Sequence, residues 1–287
     1  VTADPRRGEA AVGQGAALAG AVTVLVAANV LNNRVAPRLA PLTSAAATCA
    51  LLTLARRSGL SWSELGFHRR SRGLRIGGAL ALAVAGVYGV GITVPATRRF
   101  FRDERALSLS RARVLEEALL QVPVGTVLLE EVGFRGVLHA LLARSHGPRT
   151  AVAVSSALFG LWHVLPAIDM VTANPALSGL ASGEAPGGGR REDGAGGAVP
   201  GPPAGASPWQ TSRAVAGSVA ATGLAGVLFC ELRRRGGLAA PSLLHIATNS
   251  LGYLSARLAP AEPGAARSAG DGTAGGRPAA GPGDPVA

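Results

Sequence analysis

The chain has 287 residues, of which 48% are hydrophobic and only 16% charged, and its mean hydropathy is +0.30. An ordinary soluble domain carries roughly 25% charge, so a soluble enzyme would lack the charge to coat its surface, and disorder throughout is excluded. The net charge is +11, and all 28 basic residues are Arg. They stand in short clusters between apolar runs rather than interleaved with aromatics, which fits the loops of a membrane protein and argues against nucleic-acid binding.

A bilayer core needs about 20 apolar residues per helix. In chain order, a polar segment 1–9 precedes candidate spans at 10–31, 35–55, 76–97, 118–142, 150–168, 214–230 and 238–258. The expected fold is therefore all-α, a polytopic transmembrane helical bundle of about seven spans. The second span has Pro37, Arg38 and Pro41 near its start, and the sixth is short. Gly217 and Ala221, four apart, suit close helix packing in the sixth. Between the second and third spans, Ser61 to Phe67 reads as an interfacial element with Trp62 and Phe67 at headgroup level. Residues 172–212 and the tail 259–287 are rich in Gly, Pro, Ala and Ser and are expected to be flexible. Residues 10–117 then form an N-terminal group of membrane helices with basic loops, and 118–258 a second group. The strongly basic segments 56–75 and 231–237 place the N-terminus inside. No removable signal peptide is expected, since no small-residue cleavage site follows the first apolar run. Cys49 and Cys230 lie in apolar runs, too few for a disulfide framework, and read as buried free thiols.

Of 17 acidic residues, only Glu130 and Glu131 fall in the middle of a span. Arg135 is the only Arg deep within one. Ionisable groups are expensive in lipid, so each is a functional candidate or a paired structural one. Residues four apart on a helix share a face, which lets Glu131 meet Arg135. Glu130, rotated by about 100°, has Gly133 and Phe134 at the corresponding positions and no cation in its own helix. A carboxylate so placed is free to act as general base; the alternative is that both glutamates serve a buried ion-pair network.

His163 closes the segment Phe159 to His163 in the fifth span. His245 and Asn249 are four apart in the seventh, where two neutral donors could hold an oxyanion or make an ordinary interhelical hydrogen bond. His68 and His146 read as loop residues, and His139 extends the polar stripe beyond Arg135. One carboxylate, two imidazoles and an amide on three spans are hard to explain by packing alone.

These residues resemble the CAAX-processing and bacteriocin-processing (CPBP, or Abi) intramembrane proteases. The family signature is two adjacent Glu with an Arg four after the second, a Phe with a His four later, and a His with an Asn four later. Here it stands as Glu130-Glu131 with Arg135, Phe159 with His163, and His245 with Asn249, in the family's order. The resemblance implies an intramembrane endopeptidase and makes 118–258 its catalytic part. The residue matching Glu130 would activate water with help from the one matching His163. Those matching His245 and Asn249 would stabilise the oxyanion, and Glu131 with Arg135 would be a supporting salt bridge. Members are described both as metal-free glutamate proteases and as metalloproteases. No cofactor is expected here, although a zinc site of Glu130, His163 and His245 is permitted; there is no His-Glu-x-x-His to specify it.

The expected substrate is a membrane-associated peptide or protein, such as a lipidated tail or a bacteriocin-like leader. The expected location is multi-pass in a bacterial cytoplasmic membrane. Two rival readings use the same residues. One is a non-catalytic membrane protein that binds a peptide, or confers self-immunity, through the polar pocket. The other is a solute transporter with Glu130 as proton site, which leaves the His/Asn pair and the absence of repeat symmetry unexplained.

Overall fold

The computed structural model describes residues 5–183 and 208–259, and all regular structure among them is helical. A helix stands at each of the seven apolar runs. α1 (Pro5–Val30), α2 (Ala40–Arg57) and α3 (Arg70–Thr93) form the first three. An unbroken series of helical turns over residues 111–146, α4, is the fourth. The fifth is divided between α5 (Pro148–Trp162) and α6 (Val164–Ala173); after a short α7 (Pro175–Ala181) come α8 (Pro208–Gly236) and α9 (Ala239–Leu258).

By length and hydropathy alone, four helical segments qualify as membrane spans: Gly13–Val35, Pro37–Arg57, Arg70–Thr93 and Pro208–Gly236. The bent pair α5–α6 makes a fifth. The expected count of about seven falls to four or five on this measure for a chemical reason. α4 carries Glu130, Glu131 and Arg135 at its centre, and α9 carries His245, Thr248, Asn249 and Ser250. These two helices lie against each other, and the polar groups that dilute their hydropathy face protein.

The periphery is built the opposite way. Only 6% of the apolar window of α3 is buried, and Leu82, Val87 and Val90 stand exposed along it. Such a continuous apolar face suits lipid, and with the other apolar helices it makes the chain an integral membrane protein. α3 is held to the end of α8 and the start of α9 through a seam of small residues. A Cβ added at Gly77 would lie 2.8 Å from the Ala240 carbonyl, and one at Gly73 would collide with the Gly236 carbonyl.

The basic segments meet at one end of the bundle. Gly237, at φ +63°, makes the tight turn between α8 and α9, and a side chain there would strike the His68 carbonyl. The next residue, Leu238, donates its N–H to the Gly66 carbonyl at 2.9 Å. Arg144, near the end of α4, donates to the Ser58 and Gly59 carbonyls and pairs with Glu64.

Several expectations need amendment. Both ends of the stretch 172–212 are helical: Pro175 occupies a first-turn position that needs no N–H, and Asn174 caps α7 by accepting from Leu177 N at 3.0 Å. Residues 184–207 and 260–287, which hold the rest of that stretch and nearly all of the tail, lie outside the described residues. The sixth run is not short, because α8 continues into polar but helix-compatible flanks at both ends. Of the pair proposed for close packing there, Gly217 abuts the Ala181 carbonyl while Ala221 is exposed; Gly226 makes the tight contact with Ser156 of α5. Cys230 is buried, but Cys49 is exposed on α2.

Candidate active site

α4 enters π register twice, over Glu117–Val127 and Glu131–Leu138, with one α turn, Leu128–Glu130, between them. Pro123 sits inside the first π stretch and brings no N–H. In that register its donor would have met the Ala118 carbonyl. Ser250 of α9 donates to that carbonyl instead, at 2.7 Å, and so fixes α9 against α4. The second π stretch starts at Glu131, and π turns commonly mark functional sites.

Four ionisable groups converge between these helices. Glu130, Glu131, Arg135 and His245 are each 5% exposed or less. His245 Nδ1 lies 2.8 Å from Glu131 Oε1, and its Nε2 lies 3.6 Å from Glu130 Oε2. One imidazole thus reaches both adjacent carboxylates, although these point in different directions from α4. Glu131 Oε1 also faces Arg135 at 3.4 Å, an ion pair without a hydrogen bond. The formal charge of the cluster is −1 with His245 neutral and zero with it protonated.

Arg135 is held chiefly by aromatic faces. Its guanidinium carbon lies 3.6 Å from the ring centre of Phe159 and 4.8 Å from that of Phe229. Cation–π contacts out of water contribute about 2 kcal/mol or more. Sequence reasoning foresaw the charge partner but not this stacking, since Phe229 belongs to α8 and has no spacing relation to α4. It also missed Trp162, whose indole N–H donates to Glu130 Oε1 at 2.8 Å. Trp162 further packs edge-on against Phe134, 5.4 Å between ring centres. With Oε1 so occupied, Glu130 Oε2 is the free oxygen, buried and without a hydrogen bond. Buried polar atoms are normally satisfied, and at 3.6 Å His245 Nε2 is too far for a direct hydrogen bond to Oε2 and too near for a water to stand between them.

His163 and Asn249 complete the predicted set less directly. His163 stands at the break between α5 and α6, its Nδ1 2.8 Å from the Phe159 carbonyl and its ring 4.6 Å from the Phe159 ring. That leaves Nε2 as the ring nitrogen open to a ligand. Phe159 also flanks His245, at 6.1 Å. Asn249 is partly buried, one turn beyond His245 on α9, and its Oδ1 lies 3.5 Å from Thr248 Oγ1. Among the described residues no hydrogen bond or ion pair joins either residue to Glu130. No three His, Cys, Asp or Glu side chains among them form a metal-binding group. Glu130, His163 and His245 do not make up such a group.

A cavity of about 370 Å³ opens among Phe67, Leu74, Leu128, Val132 and Leu238, with Arg70 at its edge and Glu131 in its wall. It approaches the cluster from the basic end of the bundle, on the Glu131 side.

Residues 117–251 match the family model described as Rce1-like, type II CAAX prenyl endopeptidase. The matched segment runs from the first π stretch of α4 into α9 and contains every residue of the candidate site. No curated protein and no solved structure gives a significant match.

Proposed function

Since the chain belongs, through residues 117–251, to the CPBP family that includes the Rce1-like CAAX endopeptidases, we propose that it is an intramembrane endopeptidase with Glu130 as its general base. The observation that carries this reading is the asymmetry of the Glu130 carboxylate. One oxygen is tied by Trp162, and the other is buried, unpaired and turned toward His245. A water seated beside the 3.6 Å gap, in reach of both Oε2 and His245 Nε2, would be aligned by both. Glu130 takes one of its protons as the oxygen attacks the scissile carbonyl, and the proton passes to the leaving amine as the C–N bond breaks. Glu131 keeps His245 in one orientation through Nδ1, and Arg135 balances the Glu131 charge. Asn249 Nδ2 supplies an N–H donor near the developing oxyanion. His245 Nε2 does so only in the imidazolium form, because Glu131 holds the Nδ1 proton. His163 Nε2 is available to the substrate or the water.

The substrate is a peptide bond in a membrane-tethered protein, at a lipidated C-terminal tail or an apolar leader. The test uses protein in proteoliposomes with two reporter peptides, one farnesylated near its C-terminus and one carrying an unmodified apolar leader. Wild type is expected to cleave one of them, and Glu130→Gln to lower the rate by about 10²–10⁴ while eluting from gel filtration as folded protein. Equal rates for the two proteins would overturn the assignment. A binding-only protein would hold the peptide in both forms and cut it in neither.

A further inference from the structure

The break between α5 and α6 has a definite chemical origin. Residue 166 is proline, so the Trp162 carbonyl four residues earlier has no helical N–H to receive. The chain turns there by 43°, with His163 at φ −86° and ψ 5°. An unpaired carbonyl inside a membrane protein is costly, and this one is satisfied from another helix. Asn29, 8% exposed near the C-terminal end of α1, donates its Nδ2 to the Trp162 carbonyl at 2.9 Å. No other hydrogen bond to that carbonyl is made among the described residues. The far side of the bend is held by Arg34, which pairs with Asp169 at 3.0 Å and donates to the Leu165 carbonyl at 3.3 Å.

Trp162 is also the residue whose indole N–H holds Glu130 Oε1. Its backbone is fixed by Asn29 and its ring by Phe134, so the direction of the Glu130 carboxylate depends on a carbonyl that Pro166 set free. We propose that Asn29 is a positioning residue for this site, acting on Glu130 through Trp162. The inference rests on the reading of Glu130 as base. It gives a role to a polar residue of the first helix, outside the segment that carries the family match.

A plain interhelical hydrogen bond would stabilise the bundle without touching the rate, and a double-mutant cycle separates the two. Full-length wild type, Asn29→Ala, Trp162→Phe and the double variant are reconstituted and assayed with the reporter that wild type cleaves. Trp162→Phe removes the indole N–H and keeps an aromatic ring. Asn29→Ala is expected to lower kcat by about tenfold with KM unchanged, as misplacement of a reacting group does. In the Trp162→Phe background the same change is expected to alter kcat by less than about twofold, since coupled residues are not additive. Asn29→Leu, close in shape and equally without a donor, replaces Asn29→Ala should the latter fail to fold.

The inference is overturned by an equal loss in both backgrounds, by an effect confined to KM, or by an unchanged kcat. Glu130→Gln run in parallel tells the two failures apart. If it cleaves at the wild-type rate, the base assignment falls and the inference with it. If it is inactive while the Asn29 factor is the same in both backgrounds, only the action through Trp162 falls.

Discussion

The centre of α4 and the rim around Glu64 both hold carboxylates paired with arginine, yet they are built on different principles. At the rim, Arg144 reaches Glu64 at 2.6 Å, with the two side chains 31% and 44% exposed. Ser61 adds two hydrogen bonds from its own N–H and hydroxyl. Water competes for every one of these contacts, and exposed pairs are worth at most about 1 kcal/mol. At the centre, Arg135 sits 3.4 Å from Glu131 with both side chains 1% exposed, and it depends on two aromatic faces as much as on the carboxylate. The shorter ion pair is the weaker link. Distance alone does not rank charge pairs; what surrounds each partner does.

That contrast can be broken at either end. The largest structural effect is expected from Arg135→Ala, which strips the counter-charge from a buried carboxylate and should cost about 3–5 kcal/mol. Thermal unfolding in detergent would show a large loss of stability. Arg135→Lys keeps the charge but not the planar stack, and should recover only part of that loss. If Lys restored wild-type stability in full, the aromatic faces would not be the main hold on Arg135. Glu131→Gln is expected to keep the fold and lower the cleavage rate by about 10²-fold, because an amide can take the place of the carboxylate but does not favour one imidazole orientation as firmly. A rate within twofold of wild type would leave His245 oriented by something else.

The smallest effect belongs to the rim. Glu64→Gln should leave cleavage unchanged and cost less than about 1 kcal/mol at neutral pH. The hydrogen bond from the Ser61 backbone N–H, then the Arg144 and Ser61 side chains, hold the Glu64 carboxyl down at about 2, against an ordinary 4.5. A carboxyl depressed in the folded state contributes stability above its ordinary value, and that contribution is lost as pH falls toward the depressed one. The stability gap between wild type and Glu64→Gln should therefore close between about pH 4.5 and 2. A gap constant over that window would separate the effect from the charge of Glu64.

How far the sequence could be read follows the same division between local and distant contacts. Long apolar runs located seven helices, because length and hydropathy are local. The i, i+4 spacing brought Glu131 near Arg135 and placed His245 and Asn249 on successive turns of one helix. Neither rule reaches across helices, so the imidazole shared between two carboxylates, the Trp162 donor and the Phe229 stack were out of range. The π turns were hidden too, since Pro123 alone does not say whether a helix will kink, stop or widen. The bend at His163 was closer to legible: Pro166 four residues after Trp162 announces an unsatisfied carbonyl, but not that Asn29 would meet it. The polar centres of α4 and α9 lower the mean hydropathy of two runs that were nonetheless legible as helices, and those polar groups face each other.

One consequence follows from the placement of His245, 114 residues after the glutamate that orients it. Ribosomal synthesis delivers both acids, the tryptophan and the bent helix well before the imidazole that completes them. On the proposed reading, a nascent chain lacking α9 holds an incomplete site, silenced by order of arrival, and cuts none of its neighbours while still emerging into the bilayer. Chains truncated before residue 238 are expected to be inert, with activity returning when the missing helix is co-expressed as a separate piece.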